Sequence, residues 1–380
     1  MRSQSPAMRD SGSAQEGPPV TEVRAAAYTI PTEAPEADGT LSWDSTGLIV
    51  VTARAGDQQG LGWSYGSPVS AHLINVQLAG LVHGTSALDI AAASAAMNRA
   101  VRNLGREGIA SIAISAVDIA LWDLKARLLG LPLAGLLGQH RPDVPIYGSG
   151  GFTCYDERQT RDQLTGWVSE NKIPRVKIKI GESWGTNEHR DAARVALARQ
   201  VIGDDAELFV DANGAYGTGQ AVRVGHWLAD YGVTWFEEPV SSQNLAGLAA
   251  IRMQVAADVT AGEYSWTLAD SARLLQAGAV DCLQIDVTRC GGITGFMAAA
   301  GMAIAHSMPV SGHCAPNAHA HVASATPNLR HLEYFHDHQR IEGMLFDGAL
   351  DPHGGVLVPD LGRPGHGVAF KTADAERFAA

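Results

Sequence analysis

Hydrophobic and polar positions change rhythm along the chain. Between Val20 and Tyr65, two β-rich runs, Val23 to Ile30 and Gly47 to Ala55, flank the polar stretch Pro31 to Ser45. That pattern predicts a hairpin or meander around a long loop. From Gly108 to Leu137 the period lengthens, with Ile114, Val117, Leu121, Leu124 and Leu128 at helical spacing and Gly130 ending the run. A helix with one buried face is expected there. After Val144, short β-branched runs alternate with longer Ala- and Leu-rich stretches, as repeated βα units around a parallel sheet require. The candidate strand ends are Gly148, Lys179, Asp211, Glu237, Glu263, Asp286, His313 and Glu333. They divide a barrel of roughly 250 residues into eight units. The fold class is therefore α/β, a (β/α)8 barrel. After Phe346 the chain is loop-rich, and it is expected to return and pack on the N-terminal part.

Composition narrows the partners. A chain of 380 residues with 46% hydrophobic content can form a large barrel and a smaller companion. The formal net charge of −12 is spread along the chain, which favours solubility and argues against nucleic acid as a ligand. No window of about 20 apolar residues suits a membrane span. The beginning of the chain lacks the apolar stretch of a secretory signal, so a cytoplasmic protein is expected. Cys154, Cys282, Cys290 and Cys314 have neither zinc-site spacing nor disulfide density and are expected as reduced thiols. Residues 1–19, rich in Ser, Gly, Pro, Gln and charge, read as a disordered tail or partly as an extension before a start at Met8.

Active sites of such barrels lie at the C-terminal strand ends, and every candidate end from Lys179 to Glu333 carries an ionisable group. "FVDANG", "WFEEPV" and "TAGEYSW" place Asp211, Glu237 and Glu263 directly after apolar runs. Three converging carboxylates raise one another's pKa, so their coexistence implies a bound cation. All-oxygen ligation points to a hard ion such as Mg2+. Surface acids paired with Lys or Arg would explain any one of them, but not the set. "RVKIKIG" puts Lys177 and Lys179 two apart on a strand, on one side of the sheet. Like charges and a nearby metal ion would depress a lysine pKa enough to make a base. "LQIDVTRCGGIT" supplies Asp286 and "PVSGHCAP" supplies His313, a pairing in which the carboxylate orients the imidazole and raises its basicity. Either residue alone reads more simply as buried structure. "RHLEYF" offers Glu333, a hydrogen-bond donor to developing charge if it keeps its proton.

In order and spacing these residues resemble the mandelate racemase subgroup of the enolase superfamily: a K-x-K strand, then Asp, Glu, Glu, an Asp before "GG", a His and a last Glu. The resemblance covers about residues 20 to 370, including "DIALWDLKARLLGLPL". It implies an α+β capping domain from residues 20–145, a barrel over 146–346 and a C-terminal segment, 347–380, packing on the cap. It further implies Asp211, Glu237 and Glu263 as Mg2+ ligands, with Lys179 as base on one face and His313 with Asp286 as base on the other. Lys177 would tune Lys179, and Glu333 would be the electrophilic partner of the substrate carboxylate. Asn213 and Ser149 match substrate-lining positions, and Glu238 is the structural member of "FEEP". The Asp286 and His313 pair stands where the muconate-lactonising subgroup has a second lysine, which argues against a cycloisomerase working with two lysines. The Pro31 to Ser45 loop and "GWSYG", Gly62 to Gly66, correspond to cap loops that close over the substrate.

The chemistry so implied is abstraction of the α-proton of a small carboxylate through an enediolate, by a homo-oligomer in the manner of the subgroup. Dehydration of an acid sugar or another hydroxylated acid is expected ahead of racemisation or epimerisation of a 2-hydroxy acid. Thr32, Glu33, Glu36, Asp38, Thr40 and Ser42 suit hydroxyl groups, whereas Trp43 and Trp63 suit an aryl acid. A metal-dependent hydrolase would need its paired histidines on the first strand. His319 and His321 follow the seventh strand end and His336 and His338 follow the eighth, so they read as surface or packing residues. A catalytically silent barrel would have lost some member of the set, and none is missing.

Overall fold

The computed structural model describes residues 17–380. The tail expected over residues 1–19 lies outside the described residues except at its end. There the Ala87 amide donates to the Pro18 carbonyl at 3.0 Å, and Pro19 bridges Ser86.

The N-terminal part is an antiparallel meander of β1 (Val20–Ala37), β2 (Ser42–Ala55) and β3 (Gln58–Tyr65). The long loop expected over Pro31 to Ser45 is instead mostly strand, turning only at Asp38 to Leu41. Its register slips between the Pro31 pairing with Ser45 and the Glu36 pairing with Trp43. Pro31 and Pro35 lack amide donors, so the ladder breaks there without ending the strand. "GWSYG" is likewise strand rather than loop as far as Tyr65, with Trp63 buried and donating to Glu342 at 3.0 Å.

The helix Ile109–Leu128 crosses the meander. Cβ atoms at Gly60 and Gly62 would lie 2.2 and 2.3 Å from its Ala120 and Ala116 carbonyl oxygens, so only glycine lets sheet and helix approach this closely. The helix is buried almost all round, not on one face. Its second side meets the barrel helix Gly292–Ala305, where Trp122 donates to Thr294 at 3.0 Å.

The barrel strands are β4 (Val144–Gly150), β5 (Arg175–Lys179), β6 (Glu207–Asp211), β7 (Val233–Glu237), β8 (Asp258–Ala261), β9 (Cys282–Ile285), β10 (Val310–Gly312) and β11 (Leu329–Phe335). Each runs parallel to the next, and β11 pairs with β4 to close the ring. Burial on both faces explains their continuous apolar texture. Tyr147, Phe209, Trp235 and Cys282 fill the interior below the mouth. Three expected strand ends are met by the last residue of β5, β6 and β7. Asp286 and His313 follow β9 and β10 directly, Glu263 lies just past β8, and Glu333 sits inside β11.

Past Phe346 the chain serves both parts. Val356–Leu357 adds antiparallel to β4, while the His366 amide donates to Asp123 of the long helix at 2.7 Å. Among the described residues, no helix is long and apolar enough to cross a membrane.

Candidate active site

Parallel pairing sets the site. Lys179 pairs with Asp211 across β5 and β6, and Asp211 with Glu237 across β6 and β7, so consecutive strands deliver these side chains to one level of the mouth. Asp211, Glu237 and Glu263 each present an oxygen within 4.8 Å of the others, all buried. Glu237 Oε1, Glu263 Oε2 and Asn213 Oδ1 are buried without a hydrogen-bond partner. Converging carboxylates of which two keep an unpartnered buried oxygen, Glu237 and Glu263, fit a hard divalent cation.

Two basic groups bracket the trio. Lys179 Nζ lies 2.5 Å from Asp211 Oδ2. His313 Nε2 lies 3.4 Å from Glu263 Oε2, and its Nδ1 is 2.8 Å from Asp286 Oδ2. Arg289 Nε also reaches Asp286 at 3.3 Å. Burial pushes Asp286 up, but the hydrogen bond and charge of His313, with Arg289, hold it well below the usual carboxylate range. Burial and Arg289 would lower His313, yet Glu263, Glu333 and the hydrogen bond to Asp286 together raise the imidazole. The pairing of Asp286 with His313 read from the sequence is thus present in space.

The lysine electrostatics differ from the expectation of a depressed base. Lys177 Nζ sits 2.5 Å from Glu237 Oε2 and 2.8 Å from Glu333 Oε1, so its charge is already matched. Burial and then Lys177 disfavour the Lys179 ammonium, but Asp211, Glu333 and Glu237 together outweigh them, and its pKa is raised. Carboxylates, not the second ammonium, dominate the ion-free site. Glu237 is pushed up to about 8 by burial and then by Asp211, whereas burial of Glu263 is overridden by His313 and Arg289, which bring it down to about 2.

Glu333 also departs from expectation. Burial would protonate it, but Lys177 and His313 hold it well below its ordinary value, so it is a carboxylate rather than a proton-bearing acid. Ser149 is fully buried and its hydroxyl donates to Glu333 Oε1 at 2.5 Å, which orients Glu333 rather than lining open space. Asn213 has a left-handed backbone, φ 45°, and its amide donates to Asp211 Oδ1 at 2.8 Å. Glu238 is buried beside the trio, and burial followed by Glu263 raises its carboxyl well above the ordinary range.

Some contributors were missed or misplaced by sequence reading. Cys314 lies against the dyad, with Sγ 3.3 Å from His313 Nε2 and 3.4 Å from Glu333 Oε2. Of the four histidines expected at the surface or in packing, His319, His321 and His338 are buried in packing, and His336 is partly exposed. His319 Nε2 accepts from the Val287 amide at 2.9 Å, next to Asp286. His338 Nδ1 accepts from Ala315 at 3.2 Å and its ring stacks on Tyr65 at 3.5 Å. His321 accepts from Ala134 at 3.1 Å. A signal existed, because "NAHAHV" follows "HCAP" within one turn of the strand end.

Residues 26–138 match the mandelate racemase/muconate lactonizing enzyme N-terminal domain, and residues 159–375 match the enolase C-terminal domain-like family. A mandelate racemase/muconate lactonizing enzyme-like protein from Rubrobacter xylanophilus is 49% identical, with TM-score 0.92, covering 96% of this chain and 100% of that one. L-talarate/galactarate dehydratase from Salmonella typhimurium is 31% identical over 87% of this chain and 81% of its own length. Its structure liganded with Mg and L-lyxarohydroxamate superposes with TM-score 0.88 at 28% identity, covering 100% of this chain and 97% of that one. A 3,6-anhydro-alpha-L-galactonate cycloisomerase from Streptomyces coelicolor is 31% identical over 87% of this chain and 90% of its own length. The chain belongs to the mandelate racemase/muconate lactonizing enzyme family of the enolase superfamily.

Proposed function

We propose that this enzyme, with Mg2+ as its ion, removes the α-proton of a hydroxylated carboxylic acid and expels a β-hydroxyl as water, making it an acid-sugar dehydratase. The observation that carries this reading is the bracketing of one carboxylate trio by two bases, Lys179 on the Asp211 side and His313 on the Glu263 side. Asp211, Glu237 and Glu263 would hold the ion. Bound there, it would supply the positive charge that stabilises the anion developing as the α-proton leaves. Lys179 then takes the proton once carboxylate charge no longer holds its ammonium. Asp286 fixes the His313 ring with Nε2 facing the mouth, where it can hand a proton to the departing hydroxyl. Lys177 and Ser149 orient Glu333 against the reacting carboxylate. The dehydratase named among the relatives supports elimination over racemisation.

Chelation should abolish turnover and added Mg2+ restore it, with a 2-keto-3-deoxy acid as product. Full activity in metal-stripped protein would remove the metal from the reading. Decay of optical rotation without keto acid would reassign the enzyme as a racemase.

A further inference from the structure

The roof of the mouth is acidic and aromatic. Between Arg24 and Arg54 the chain has no Lys, Arg or His, while Glu33, Glu36, Asp38 and Asp44 fall within this span. The β1–β2 tip is fastened over the barrel: the Thr153 amide donates to the Ala37 carbonyl at 2.8 Å, and the Trp184 amide to Gly39 at 2.9 Å. Behind the tip, Trp43 meets Phe152 edge to face at 5.7 Å, and Phe152 meets Phe335 at 5.8 Å. This apolar group includes Cys314, whose thiol touches His313, so the aromatic wall continues to the reacting groups. Trp43 Nε1 donates to the buried Glu36 at 2.8 Å. Burial and the neighbouring charge of Asp337 push the Glu36 carboxyl up to about 8, which reports how poorly this corner tolerates another anion.

Cations around the mouth are already engaged among the described residues. Lys177 and Lys179 sit on carboxylates, and Arg289 joins Glu263 and Asp286. Arg194 Nη2 holds the Thr153 carbonyl at 2.5 Å and Glu182 at 3.2 Å while its Nη1, without a hydrogen bond, lies 3.6 Å from Asp191; Arg340 is on Asp337, and His336 lies 3.5 Å from Glu33. One substrate carboxylate can face the metal site. A second, at the far end of the same molecule, would meet aromatic rings beside the Asp337 and Glu33 carboxylates, with each of these guanidiniums already beside a carboxylate.

We infer that the substrate is a monocarboxylate of the aldonate type, whose far end is an uncharged carbon bearing hydroxyl or hydrogen, and that aldarates, carboxylated at both ends, are excluded. This rests on the dehydratase reading and departs from the dicarboxylates after which the Salmonella relative is named. The reaction balances without a co-reactant, since the Cα proton and β-hydroxyl leave as water and the enol becomes a 2-keto-3-deoxy acid.

The test uses the Mg2+-loaded enzyme with a panel of aldonates (gluconate, galactonate, arabinonate) and of aldarates (galactarate, glucarate, talarate). Keto-acid formation and Cα deuterium incorporation in D2O are followed together. The expected result is turnover of at least one aldonate with kcat/KM at least 100-fold above every aldarate. Introducing a cation at the exposed roof position, Glu33→Lys, should shrink that ratio at least threefold, a change that general damage to the fold would not select. An aldarate within tenfold of the best aldonate would overturn the inference and leave the dehydratase reading standing, as would an unchanged ratio in the variant. Isotope exchange or racemisation of 2-hydroxy monocarboxylates without elimination, with malate and tartrate inert, would support the single-carboxylate rule while overturning the dehydratase reading. Exchange with neither class would overturn both.

Discussion

The basic groups of the site are held by carboxylates rather than by one another. Lys179 lies 2.5 Å from Asp211 and His313 3.4 Å from Glu263, at different members of the trio, and in the proposed reaction each would address a separate side of the substrate. Lys179→Ala should stop α-proton exchange with D2O in one stereochemical series and His313→Asn in the other. Each loss should be of order 10²-fold or more, the usual worth of a positioned acid or base. If both variants lose the same series and spare the other, the two-sided assignment is wrong. Sequence spacing identified this set because each group ends or follows a buried apolar run. It could not supply the pairings. Two lysines at alternate positions suggest mutual repulsion, but the partners that decide their charge lie 60 and 32 residues away along the chain, in Glu237 and Asp211. The roles of Ser149 and Cys314 were hidden for the same reason, since both depend on contact with Glu333 from β11.

Among elements, the eight barrel strands, the cap meander and its long helix were legible, and the length of the β1–β2 strands and the second buried side of the helix were not. Barrel strands are buried on both faces and leave a continuous apolar signal. The β1–β2 tip pairs through its backbone while its side chains are polar, so Pro31 to Ser45 imitates a loop. The helix Ile109–Leu128 was misjudged because its second partner is the distant helix Gly292–Ala305. Asp118 joins the two, accepting from the Thr294 amide at 3.0 Å and its hydroxyl at 2.6 Å. Gly292, with φ 75°, is required because its Cβ would stand 2.3 Å from the Asp118 carboxylate. Burial pushes Asp118 up to about 7 against the hydrogen bonds from Thr294. The folded chain therefore binds this proton more tightly than the unfolded one. The resulting stability is fully present below about pH 4, is lost as pH rises to about 7, and amounts to about 4 kcal/mol at most. Asp118→Asn cannot titrate, so its melting temperature should fall less than that of the parent between pH 5 and pH 8. Equal falls would mean that Asp118 is ionised in the folded chain throughout this range.

At the scale of the molecule, cap and barrel share a core. One hydrophobic cluster runs from Tyr28, Leu48 and Trp63 of the meander into Ile178, Val210 and Phe236 of the barrel, and on to Val368 near the C-terminus. Polar closure of this assembly converges on Asp123, a fully buried carboxylate. It accepts from the Leu61 amide of β3 at 2.8 Å, the His366 amide of the C-terminal segment at 2.7 Å and Arg127 Nε at 2.7 Å. Removing it strands two backbone donors and leaves Arg127 without its carboxylate partner, with only the Val368 carbonyl at 3.2 Å. Because Arg127 keeps a quarter of its side chain in water, most of the loss comes from the two amides. Asp123→Ala should therefore lower unfolding free energy by roughly 3–5 kcal/mol, seen as an earlier denaturant midpoint. Asp123→Asn keeps one acceptor but turns an amide donor toward another donor, so its midpoint should fall between parent and Ala variant. The C-terminal segment should loosen first, because His366 loses its anchor while Leu61 remains in the β3 ladder, and limited proteolysis should then cut within residues 347–380. A parental midpoint with an uncut C-terminal segment in Asp123→Ala would show that apolar packing alone joins cap, barrel and C-terminus.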